Sequence, residues 1–286
     1  MHLSGPVYLI LAIAASAAMT LVLKAFKTEG TNRYAIILGN YVTCIIIGFL
    51  ILADKTSVLQ IDPETLLFGA LGGVLFVVSL VLLQRSIEVN GAILTSAFSR
   101  MGLVVPLIVS IAFLGEKPRL IQFAGMLIVL IAICIINGKK DQRLDGISPI
   151  LLICVLLAGG FSDCMAKIFN YFGMQTQNDL YILMVFFTAG VLTFILLLTE
   201  YKKTGKFGGI KDFVAGIAVG IPNYFSASLL LKALADVPAF IAYTVFSTGV
   251  LLLITAISLI LFKERLKKTQ AIGIGLILIA LVLLNI

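Results

Sequence analysis

Arg100 is the single charge in an apolar run from Gly91 to Leu114, within the stretch TSAFSRMGLVVP at 95–106. A guanidinium in the middle of such a run costs roughly 2.5–3.5 kcal/mol even on lenient insertion scales. At 1.5 Å per residue it lies about 14 Å in from Gly91, too deep to snorkel easily. Its planar fork of donors suits a carboxylate or a phosphate, where lysine would offer only a point charge. Ser96, Ser99, Arg100, Leu103, Leu107 and Ser110 fall within one helical sector of roughly 100°. The run at 238–262 carries Thr244, Ser247, Thr248, Thr255 and Ser258 at equivalent places. Hydroxyls in such stripes either line a cavity or join helices; the buried arginine favours the cavity.

Asp163 and Lys167 stand four residues apart on one helical face, with the acid first, the better order for pairing. Two readings follow. The pair neutralises itself near the headgroups, or Asp163 carries a coupling proton or meets an amino group on a substrate. IPNYFSAS, 221–228, places Pro222 inside an apolar run, where a proline removes a backbone bond, and puts Asn223 and Tyr224 beside it as candidate specificity contacts or packing residues. Glu116 and Glu264 end their runs and read as capping or loop-fixing groups. GALGG (69–73), AGG (158–160) and AGIAVG (215–220) read as small-residue faces for close helix contact.

The elements that must position these groups follow from composition. The chain has 286 residues, 60% hydrophobic and only 12% charged, too little polar surface to cover a soluble core. A spanning helix needs about 20 mostly apolar residues. Ten runs qualify, near 6–25, 34–53, 65–84, 91–114, 119–137, 148–170, 179–199, 211–231, 238–262 and 268–286. An all-α membrane protein of ten transmembrane helices is expected, with the lipid bilayer as its solvent. The N-terminus MHLSGP lacks the basic region of a cleaved signal. The net charge of +7 points to no nucleic acid, because the basic residues flank the runs. Neither histidine clusters nor C-x-x-C pairs occur, so neither a metal nor another cofactor is expected. With no nucleophile–base pattern, an enzyme is not expected either.

Loops after odd-numbered runs hold fifteen of the 21 lysines and arginines, and the opposite side holds five. By the positive-inside rule the richer side is cytoplasmic and both termini face outward, with a bacterial plasma (inner) membrane as the expected location.

Shifting the chain by 148 residues matches Phe98-Ser99 with Phe246-Ser247, Ser110 with Ser258, Glu116 with Glu264, Gln122 with Gln270 and Gly125 with Gly273. A shift of 143 lays Pro6 and Lys24 on Pro149 and Lys167. These matches predict a first five-helix repeat at 1–137, a cytoplasmic linker at 138–147 and a second repeat at 148–286. Five is odd, so the halves insert in opposite senses, an arrangement found in secondary transporters.

VVPLIVSIAFLGEKPRLIQFAGMLIV and LLLITAISLILFKERLKKTQAIGIGLIL share a span-ending glutamate, a basic residue and then glutamine and glycine. This doubled signature, together with ten short spans in two halves, resembles the EamA-type family of the drug/metabolite transporter superfamily. The resemblance implies the fold and a transport role. Pro106 of the first copy becomes Ile254 in the second. From these readings, the expected function is secondary-active transport of a small anionic or zwitterionic metabolite, such as an amino acid, by alternating access. Protons are a candidate coupling ion, and a monomer suffices for the site. A flippase for an anionic lipid-linked sugar and a proton-coupled drug exporter stay open. The expected substrate contacts are Arg100, Ser96, Ser99, Asn223, Tyr224, Thr244, Ser247 and Thr248, with Asp163 and Lys167 for proton coupling or a substrate amine.

Overall fold

The computed structural model describes residues 4–25, 32–90, 92–137, 148–205, 207–261 and 268–284. The expected linker at 138–147 and Glu264 lie outside them. Every regular element among the described residues is helical: α1 Gly5–Ala25, α2 Arg33–Ile51, α3 Pro63–Asn90, α4 Ala92–Met101, α5 Val104–Ala112, α6 Leu120–Asn137, α7 Pro149–Phe172, α8 Asn178–Thr204, α9 Ile210–Asp236, α10 Ala239–Leu261 and α11 Lys268–Leu284, with short 3-10 turns at Lys55–Gln60 and Gln175–Gln177. Seven of these, α1, α2, α3, α7, α8, α9 and α10, are long and apolar enough to cross a bilayer. Shorter apolar helices cover Leu120–Ile135 and Ala271–Leu284, and α4 and α5 together hold the apolar stretch Phe98–Ala112.

Compactness divides the chain along a different line from the sequence repeat. One unit comprises Met1–Val77 with Ile168–Asp236, the other Val78–Lys167 with Val237–Ile286, so each draws on both halves. In the first unit α9 packs on α1, α2 and α8, and α2 also packs on α8. In the second, α6 packs on α11 and α4, and α10 packs on α5. The second unit's core gathers Leu103, Leu107, Met126, Val129, Ile133 and Phe240.

Lipid tails give helices no hydrophobic reason to associate, so close backbone approach through small residues must supply the contact. The glycine faces do this. A Cβ on Gly216 of α9 would lie 2.4 Å from the Ile36 carbonyl of α2, and one on Gly220 2.6 Å from Thr43 Cβ. A Cβ on Gly69 of α3 would lie 2.6 Å from Met184 Cβ of α8, and one on Gly73 2.6 Å from the Val185 carbonyl. Gly69 and Gly73 stand four residues apart, as Gly216 and Gly220 do, and both pairs serve the same kind of contact.

Candidate functional site

The run 91–114, expected as one helix, is two. It breaks between α4 and α5, at Gly102 and Leu103. Pro106 causes this: it has no N–H for the Gly102 carbonyl four residues back, and its ring crowds that carbonyl. Gly102 adds its own poor helix propensity. The ladder tightens instead, with Gly102 N donating to Ser99 O at 3.1 Å, Leu103 N to Arg100 O at 3.4 Å and Val105 N to Gly102 O at 2.9 Å. Such three-residue bonds mark 3-10 geometry, which within a helix often marks a hinge.

The break receives the backbone of α7. A Cβ on Gly160 would stand 2.4 Å from Gly102 O and 2.5 Å from the Val105 side chain; one on Gly102 would stand 3.0 Å from Leu156 O. Arg100 precedes this contact by two residues, half-buried in the last turn of α4, where the helix dipole favours a cation. Asp163 follows it by three residues on α7 and is exposed. Neither the Arg100 guanidinium nor the Asp163 carboxylate makes an ion pair among the described residues. The main-chain carbonyl of Asp163 accepts from the Tyr243 hydroxyl of α10.

Of the two readings of Asp163 and Lys167, the self-neutralising pair is corrected. Lys167 Nζ instead lies 3.1 Å from Glu116 Oε1, with both side chains 14% exposed. Gly115, at φ 72°, turns the chain after α5, and Glu116 N donates back to Ser110 O at 3.1 Å. The carboxylate then caps α10, accepting from Ala239 N at 2.8 Å and Phe240 N at 3.2 Å. Glu116 is therefore the cap its place in the sequence suggested, and an ion-pair partner besides.

The hydroxyl stripes behave unequally. Thr244 and Thr248 are buried and donate to the carbonyls four residues back, Phe240 O and Thr244 O, each at 2.6 Å; Thr255 does the same to Leu251 O at 2.7 Å. Ser110 donates to Leu107 O at 3.0 Å. Their donors serve their own helices. Ser99 and Ser247 are half-buried. Ser96 belongs to α4, but its side chain is outside the description.

Asn223 and Tyr224 belong to the other unit. Asn223 Nδ2 donates to Asn40 Oδ1 of α2 at 3.1 Å, and Cys44 Sγ donates to Gly220 O at 3.3 Å. Helix α9 continues through Pro222. Tyr224 is buried within an aromatic group with Phe186, Tyr41 and Phe76. Asn40 escaped the sequence reading, although a lone amide in the apolar run of α2 is itself a signal. A buried chain, Ser148 N to Asn90 Oδ1, Asn90 Nδ2 to Ser86 Oγ and Ser86 Oγ to Thr95 Oγ1, ties α7, α3 and α4. It too was missed.

Among the described residues every regular element is helical and seven apolar helices reach spanning length, as in an integral, multi-pass membrane protein. The sequence matches the EamA-like transporter family twice, at residues 3–138 and 146–286, and the chain belongs to that family, within the drug/metabolite transporter superfamily. It is 25% identical over 279 residues, 93% of each chain, to a protein of Haemophilus influenzae described only as uncharacterized. One crystal structure of a protein 12% identical superposes with a TM-score of 0.76, covering 98% of this chain and 97% of that one. At that identity the likeness concerns the fold alone.

Proposed function

We propose that the protein is a secondary-active transporter that works by alternating access and carries a small anionic or zwitterionic metabolite, whose negative group meets Arg100. The supporting observation is the broken helix. Transporters bind substrate where a membrane helix is discontinuous, because the loosened backbone there can face a ligand. Here the break falls two residues from a guanidinium and, across the Gly102–Gly160 contact, near an exposed carboxylate. Ser99 and Ser247 supply neutral hydrogen bonds. Asp163 carries the coupling proton or meets a substrate amine, while Lys167 stays with Glu116. The remaining elements of the proposal are ten crossings in two inverted halves, termini outside a bacterial inner membrane, and a monomer as the working unit.

A thermal-stability screen tests this, since a ligand that binds only the folded protein raises its apparent stability. Carboxylates, amino acids and phosphate esters should include stabilisers. Stabilisation by neutral or cationic solutes alone would overturn the anion site.

A further inference from the structure

An apolar groove of about 500 Å3 opens on the first unit, lined by Ile46, Phe49 and Leu50 of α2, Val58 of the 3-10 turn, and Met184 and Phe187 of α8, among others. Only apolar side chains line it. A bilayer-facing helix pair needs no such depth to be wetted by lipid, and the volume is that of a small-ligand pocket. At its edge stands Lys55. Its ammonium lies 5.6 Å from the centre of the Phe49 ring, donates to Leu50 O at 2.9 Å and also donates to Leu52 O. An ammonium has three donors, and these carbonyls take two. The neighbouring Asp54 is turned into its own loop, accepting from Thr56 N at 2.8 Å and from Thr56 Oγ1 at 2.7 Å. It is exposed, so its attraction for the Lys55 ammonium is weakened by solvent.

We infer that this groove is a phospholipid site, with one acyl chain between α2 and α8 and the lipid phosphate on the third donor of Lys55. Lysine at a membrane surface attracts lipid phosphate, and α2 fixes the distance between the two halves of the site. Lys55 follows α2 directly, its own hydrogen bonds hold its head at the groove, and Phe49 packs beneath that head as it lines the groove. The site is independent of the proposed transport role.

The chain contains no tryptophan, so a single introduced indole reports on one place. Phe187→Trp puts the reporter in the groove; Phe225→Trp puts it on α9 at a half-exposed position outside the lining. Each variant, purified in dodecyl maltoside, is titrated with brominated phosphatidylglycerol and, separately, with brominated diacylglycerol, which lacks the phosphate. The groove indole should be quenched at about fivefold lower mole fraction of the phospholipid than of the diacylglycerol. Lys55→Gln, which keeps a donor for the α2 carbonyls but loses the charge, should erase that difference. The outer indole should show no preference. Equal quenching of the Phe187→Trp indole by both lipids, or a preference that survives Lys55→Gln, would overturn the site.

Discussion

Helices α4–α5 and α10 descend from the same repeated segment, yet one is broken and the other runs unbroken from Ala239 to Leu261. Three exchanges accompany the difference. Pro106 faces Ile254, Gly102 faces Val250, and Arg100 faces Thr248. The first two remove a hydrogen bond and lower helix propensity, so the ladder gives way in one copy only. The third places the charge beside the break. In α10 the corresponding hydroxyl is buried and bonded within its own helix. The repeat thus preserves the paired serines Ser99 and Ser247, and the departures from it put the helix break and the lone cation in the first copy.

That comparison can be broken at the groups that hold the two helices in place. Glu116 ties the end of α5 to the start of α10, and Glu116→Ala removes two backbone caps and an ion pair together. A loss on the order of 3 kcal/mol is expected in a chemical denaturation series, with Glu116→Gln retaining part of the capping. Next in size is the seat of the break. Gly160→Ala pushes a methyl into Gly102 O and Val105, at a cost of about 1–3 kcal/mol. Gly159→Ala meets nothing closer than Ser79 Oγ at 3.7 Å and should stay within about 0.5 kcal/mol of the parent. Equal effects of the two would mean that α7 does not seat the break. Smallest in stability is Pro106→Ala, which restores an N–H and should change the unfolding energy by less than about 1 kcal/mol. It sharpens the comparison through another readout: amide exchange across 100–107 should slow as the first copy comes to resemble the second.

Much of this was legible beforehand. The apolar runs gave α2 and α6 to within two residues at each end, because bilayer thickness sets their length. The glycine faces were legible because close approach demands small residues. Helix α3 runs past the expected end at 84 to Asn90. Its polar tail satisfies itself, through Arg85 to Glu88 at 2.9 Å and Asn90 to Ser86 at 3.0 Å. The break at Gly102 was readable from Pro106 but was masked by a helical stripe that keeps its period across 96–110, which periodicity reads as one helix. The partner of Lys167 was not readable. An i,i+4 acid is the nearest in sequence, whereas Glu116 is brought in by the left-handed turn at Gly115 and by the N-terminus of α10, both tertiary facts.

The central claim is that Arg100 anchors a negative group at the broken helix. Its most direct test is equilibrium binding of a stabilising anion found by the screen, measured on wild type, Arg100→Lys and Arg100→Gln, with thermal melting as the measure of folding. Arg100→Gln should melt as the wild type does yet bind about 100-fold more weakly, since losing one partner of a buried charge pair costs about 2–5 kcal/mol. Arg100→Lys should fall between them, keeping the charge without the fork. If instead Arg100→Gln unfolds the protein, and adding Asp163→Asn restores folding and transport, then the arginine is a structural partner of Asp163 and the account is wrong.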